Sequence, residues 1–112
     1  MGAIEGRPQG YTMEITKITI SLRDEERLRA YVTVVFDEEF VVKGMKVIRG
    51  KKGFFVSMPS RRFKDGTFHD IAHPITRQCR ERLERAILAE YERALRDRAE
   101  SLSGPAEMGG DA

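Results

Sequence analysis

The chain has 112 residues, 40% hydrophobic and 34% charged, with a formal net charge of +2. That length supports one domain with one modest core, and the composition is that of a globular chain rather than a disordered or membrane one. No apolar run approaches the roughly 20 residues that cross a bilayer, and no signal-peptide core is visible. The single cysteine, Cys79, excludes an intramolecular disulfide and fits a reducing compartment, so a cytoplasmic location is expected.

Residues 1–12 are punctuated by Gly and Pro and show no periodicity. They read as a disordered N-terminal extension or a tag, because Ile4-Glu5-Gly6-Arg7 matches a common engineered protease site; a native start at Met13 is the other reading. The domain is expected over residues 13–100. It opens with Met13–Leu22, where Ile18, Ile20 and Leu22 alternate and Ile15 falls out of phase, which predicts a strand with a bulge near Thr16-Lys17. After the polar turn Arg23–Glu26, Leu28, Ala30, Val32, Val34 and Phe36 alternate without a break, the pattern of a half-buried strand. Asp37-Glu38-Glu39 then turns the chain into Phe40-Val41-Val42, a predicted hairpin. Gly44–Gly50 fits either a short strand or one helical turn.

Phe54–Met58 predicts a further strand, ended by Pro59, which has no ladder donor. Phe54 shares a face with Val56 and Met58 and is expected in the core. Asp65-Gly66 is a hairpin signal, read here as a turn in which both residues take positive φ. Thr76 is the expected N-cap of a long helix on which Cys79, Leu83, Ala86, Ile87, Tyr91, Ala94 and Leu95 form one apolar stripe. Glu81–Arg85 and Glu92–Arg96 are the expected ion pairs of its outer face. Residues 101–112 read as a disordered tail. The expected fold is α+β, an antiparallel β-sheet with β-hairpins followed by a C-terminal amphipathic helix. So many apolar strand residues for one helix to cover predict a homodimer.

The charge is unevenly placed. Between Glu39 and Asp65 the chain runs 25 residues without a carboxylate while carrying eight cations: Lys43, Lys46, Arg49, Lys51, Lys52, Arg61, Arg62 and Lys64. A block of one sign inside a folded segment makes a localised positive field, the footprint of a phosphate-backbone binder. A solvated, lysine-guarded edge strand would look similar. Arg49-Gly50-Lys51-Lys52-Gly53 is a loop whose glycines let backbone amides approach a phosphate. Ser60–Lys64 flanks the expected Asp-Gly turn, and an exposed phenylalanine there, Phe63, could stack on an unpaired base.

The helix start adds Arg77, Gln78, Arg80 and Arg82 against one acid, Glu81. Cations at a helix N-terminus oppose the macrodipole, so their repetition suggests a use beyond stability, such as meeting a phosphate or a base edge. Catalytic patterns are missing: no nucleophile elbow, P-loop or dinucleotide fingerprint is present. His69, Asp70, His73 and Cys79 match no common zinc spacing, and Asp70 and His73 read instead as turn hydrogen-bonders. Neither an enzyme nor a cofactor is expected.

Phe54-Phe55-Val56-Ser57-Met58-Pro59-Ser60-Arg61-Arg62, then Asp65-Gly66 and Asp70-Ile71-Ala72-His73-Pro74-Ile75, resembles the signature of the SpoVG family, named for stage V sporulation protein G. Met13–Thr16, Phe40–Val42 and Glu90-Tyr91 extend the likeness over about residues 13–95. The resemblance implies a small, dimeric, cytoplasmic bacterial regulator, linked to septation and sporulation, that binds DNA and in some members RNA. It matches Arg61 and Arg62 to the family's paired cations and the helix-opening arginines to its basic helix start. Phe63 departs from it, standing where a small hydroxylated residue is usual, and so does His69, where a longer basic residue is common. Arg49–Gly53 is also more basic than the corresponding loop of the family.

The expected nucleic-acid contacts are therefore Arg49, Lys51, Lys52, Arg61, Arg62, Lys64, Arg77, Gln78 and Arg80. The expected partners are DNA, with RNA as a second ligand, and a second copy of the chain, with no membrane and no small-molecule substrate. The competing reading is a protein-interaction module whose basic face docks an acidic partner.

Overall fold

In a computed structural model, residues 13–103 are described, and the expected N-terminal extension, 1–12, lies outside them. Strands β1 (Ile15–Leu22), β2 (Leu28–Phe36), β3 (Phe40–Gly50) and β4 (Gly53–Ser57) form one antiparallel sheet in the order β1-β2-β3-β4. A separate two-stranded hairpin follows, β5 (Ser60–Arg62) with β6 (Phe68–Asp70), and then helix α1 (Arg77–Ser103). The α+β architecture expected from the periodicities is the one observed. The helix runs three residues past the boundary expected at 100, and the rest of the expected tail, 104–112, lies outside the described residues.

Strand β2 is the centre of the core because its alternation is unbroken. Ala30, Val32, Val34 and Phe36 are all buried, and Met45, Val47 and Val56 join them from β3 and β4 on the same face. Helix α1 covers that face with Leu83, Ile87 and Tyr91, lying against the two outer strands, β1 and β4. The Tyr91 hydroxyl accepts a 3.4 Å hydrogen bond from Arg29 Nε, so this buried ring keeps its polar end satisfied.

The bulge in β1 falls where the broken phase puts it. Ile15 pairs with Phe36 and Lys17 with Val35, which leaves Thr16 without an opposite number. Its hydroxyl donates to Val35 O at 3.2 Å and accepts from Glu38 N at 3.0 Å. Asp37 Oδ1 accepts from Glu14 N at 3.0 Å. The start of β1 thereby clamps the β2–β3 turn, in which Asp37 and Glu38 both hold positive φ, 55° and 58°. Two such residues in a row are costly without glycine, and these hydrogen bonds offset that cost.

Gly44–Gly50 is strand, not helix. Val34 pairs with Val42 and Val32 with Met45, so β3 carries an irregularity at Lys43-Gly44, where Gly44 has φ +89°. Pro59 packs against this glycine: a Cβ added there would lie 3.4 Å from Pro59 Cβ. The bulge and the proline together fix where the chain leaves the sheet.

Phe54 is not in the core. It is 47% exposed and meets Tyr91 edge-on at 5.6 Å between ring centroids. Its strand is the outermost of the sheet, and the helix shields only part of the rim. On that rim Val56 N, facing away from β3, donates to Glu84 Oε2 of the helix at 3.1 Å.

Candidate nucleic-acid interface

The basic block is continuous in sequence but divided in space. Gly50 pairs with Gly53, so Lys51 and Lys52 are the two tip residues of the β3–β4 hairpin. Arg49 sits just inside this turn, its amide donating to Arg27 O at 2.8 Å. Arg49, Lys51 and Lys52 are exposed at the end of the sheet where β1 turns into β2.

Arg61, Arg62 and Lys64 leave from the other end of β4, beyond Pro59. The β5–β6 hairpin is tied to the body at its base, where Ile71 N donates to Pro59 O at 2.7 Å, and its strands contact chiefly each other. Arg61 pairs with His69 and Arg62 with Phe68. Successive strand residues face opposite ways, so the arm carries one arginine on each face. Its tip is a tight loop with Phe63 N donating to Thr67 O at 2.8 Å and Gly66 N to Phe63 O at 2.9 Å. Only Gly66 of the Asp-Gly pair takes positive φ, +90°, in place of the two residues expected, because the loop spans more than a two-residue turn.

Asp65 accepts from Thr67 at both the amide (3.0 Å) and the hydroxyl (2.6 Å). These bonds, the hydroxyl's first, hold its carboxyl below the ordinary value of 3.8. The one carboxylate at the arm's tip therefore stays ionised and turned into the loop. Among the described residues, none of Arg49, Lys51, Lys52, Arg61, Arg62 and Lys64 forms an ion pair within 4.0 Å.

The helix start lies at the arm's end of the molecule. Met58, Ala72, Pro74, Cys79 and Leu83 line one apolar cavity there with Phe36 and Phe40. Thr76 is the N-cap expected, its hydroxyl accepting from Cys79 N at 3.1 Å. Arg77 and Gln78 are exposed and Arg80 is half-buried. Arg77 is paired with Glu81 at 3.6 Å, and the helix's other ion pair joins Arg93 to Glu90 at 3.0 Å. The expected Glu81–Arg85 and Glu92–Arg96 pairs are not formed among the described residues. Arg82 is drawn inward instead, donating to Met13 O at 3.1 Å and anchoring the start of β1.

Two groups thus share one end, the arm cations and the helix-start residues, while Arg49, Lys51 and Lys52 stand at the other. His69, which departs from the family pattern and is not among the expected contacts, lies against Phe63 with ring centroids 4.1 Å apart. A two-residue Asp65-Gly66 turn would have set His69 opposite Arg62; the longer loop shifts the register by one and sets it opposite Arg61, on the face of Phe63, which the turn signal alone does not reveal. His73 is engaged with Pro74 O at 3.0 Å, and among the described residues no three metal-ligating side chains cluster. No helix of the described residues is long and apolar enough to cross a membrane.

These features define a small α+β domain, a four-stranded antiparallel sheet under one long helix, with a cationic two-stranded arm standing off the body. The chain belongs to the SpoVG family, whose model matches residues 13–93. A protein of Anaeromyxobacter sp. (strain Fw109-5) named "Putative septation protein SpoVG" is 56% identical over 84 residues, covering 75% of this chain and 87% of that protein. Proteins of the same name are 52% identical over 83 residues in Caldanaerobacter subterraneus subsp. tengcongensis and 47% identical over 83 residues in Myxococcus xanthus (strain DK1622). These alignments cover 73% and 74% of this chain, and 91% and 84% of the respective relatives.

Proposed function

We propose that this protein is a small homodimeric nucleic-acid-binding regulator that acts in the cytoplasm, in cell division and septation and in sporulation-type gene regulation. Its ligands are DNA and RNA. The observation that carries this reading is the unpaired state of the arm cations. Arg61, Arg62 and Lys64 project on a slender hairpin, exposed and without an ion pair, with the tip carboxylate Asp65 held by Thr67 and Asp70 back at the hairpin's base; cations gathered in this way make a local positive field. The septation role rests on the names of the relatives. The protein works as a binder without cofactor, catalysis or small-molecule substrate.

The dimer rests on the sheet's edges. Strand β1 is guarded by a bulge and Lys17, whereas β4 has no lysine, proline or bulge and exposes Phe54 and Phe55. Glu84 occupies Val56 N on this edge but leaves the rest of it open, and a second copy supplies the matching strand there. Sedimentation should give twice the 12.8 kDa of one chain, and a monomer at micromolar concentration would contradict it. The exposed Phe68 and Ile71 favour a second reading, docking of an acidic protein partner by the arm. Gel shifts against excess non-specific DNA at two salt concentrations, with selection from random DNA and RNA pools, separate the two. A binder of this function enriches a preferred sequence and retains it over competitor. Binding that vanishes at physiological salt, with no sequence enriched, would leave the protein-docking reading.

A further inference from the structure

We propose that the arm carries a stacking site for one unpaired base of a single-stranded nucleic acid, formed by Phe63 and His69 with Arg61 beside them. The inference rests on the nucleic-acid reading above and specifies the form of ligand that the arm takes.

Three observations converge on it. Arg61 pairs with His69 in the hairpin register, and Phe63 is two residues beyond Arg61 and pairs with Thr67, so Arg61, Phe63 and His69 share one face. The Phe63 and His69 rings touch at 4.1 Å with a 47° tilt, yet Phe63 remains 49% exposed. The hairpin contacts chiefly itself, so this aromatic pair belongs to no core. An apolar ring kept in water, braced on one side and open on the other, suits a planar ligand.

The brace is fixed by a relay of hydrogen bonds. The Thr67 hydroxyl gives its single proton to Asp65 Oδ1 at 2.6 Å, so at 3.0 Å it can only accept from His69 Nε2, which must carry a hydrogen. Asp65, Thr67 and His69 thus hold the imidazole against Phe63 before any ligand arrives. A nucleobase stacked on the open side of Phe63 would place its sugar–phosphate chain within the field of Arg61, Arg62 and Lys64, three cations against the one carboxylate, Asp65, that lines the same depression. Inside a duplex both faces of each base are already stacked, so only an unpaired base can use the site. A protein side chain could also cover Phe63, but the cations around it favour an anionic, planar ligand.

The test uses the full chain with a single-stranded oligonucleotide carrying one 2-aminopurine and a blunt duplex of equal length, at one salt concentration. Phe63→Ala should weaken single-strand binding about 5- to 150-fold, the range for loss of one stacked base, and change duplex binding less than twofold. Phe63→Trp should keep single-strand affinity and the quenching of 2-aminopurine fluorescence. Equal losses on both ligands, a tryptophan variant as weak as the alanine one, or an alanine variant that alters only sedimentation would each overturn the stacking site. Wild-type protein that binds duplex but no single strand overturns it while sparing the nucleic-acid reading. Wild-type protein that binds neither overturns that reading as well.

Discussion

Replacing Arg61 and Arg62 together with alanine measures how the arm approaches a duplex. The two side chains are exposed, successive on β5 and opposite His69 and Phe68, so they point to opposite faces of the ribbon. A hairpin lying flat on the backbone brings one of them to a phosphate. A hairpin inserted edge-on, as a two-stranded ribbon enters the roughly 12 Å major groove, brings both. Each phosphate contact contributes about 0.9 to the slope of log affinity against log salt. Insertion therefore predicts a slope flattened by about 1.8 in the double variant, and flat docking about 0.9. Between 50 and 200 mM salt, 1.8 units correspond to about a 12-fold smaller fall in affinity. We expect the larger value, because the unpaired cations stand on both faces. Fluorescence anisotropy across a salt series, with circular dichroism to confirm folding, gives the number. An unchanged slope in a folded double variant would place the binding surface elsewhere and refute the reasoning.

The helix start should set sequence preference. Arg77, Gln78 and Arg80 replaced by alanine should lower the ratio of specific to non-specific affinity, while Lys51→Ala with Lys52→Ala weakens both about equally; an intact ratio in the helix variant would make those residues backbone contacts. Ile87 is fully buried under the sheet, so Ile87→Ala should cost about 2–5 kcal/mol and lower the melting temperature by roughly 10 °C or more, read by calorimetry. The Thr67 bonds lower Asp65 below its ordinary 3.8, so the turn's contribution is complete above that value and is lost as pH falls through the lowered one. The Thr67 amide resonance should accordingly titrate with a midpoint below 3.8, and a midpoint at or above it would remove this bond from the account.

The sheet was legible wherever one physical signal dominated. The alternation of Leu28–Phe36 and the broken phase at Ile15 gave the central strand and the bulge, and Thr76 gave the helix start to the residue. Gly44–Gly50 was ambiguous because the irregularity at Lys43-Gly44 interrupts its period, and only the partner strand resolves it. Phe54 lies outside the core despite its pattern because period-two alternation tells which face a residue takes, not whether the helix reaches that far along it. The helix ion pairs were misassigned because surface side chains have several partners of similar energy, worth a few tenths of a kcal/mol each. The eight cations can be counted in sequence but not located: Lys43 and Lys46 lie along β3, and the other six divide between a turn and an arm at opposite ends of one short strand, yet all read as a single patch.

The hydrogen bond from Val56 N to Glu84 gives the helix a duty beyond covering the core. An outermost strand with free amides is a template for uncontrolled self-association, and here a side chain from a separate element occupies one of those amides. The guard stays only while the helix is docked. Partial detachment of α1, by heat or by truncation, would uncover the apolar face and the strand edge in the same event. The solubility of the domain is therefore tied to an element synthesised after the sheet it covers, and a ribosome-bound intermediate that lacks the helix is the state most exposed to aggregation.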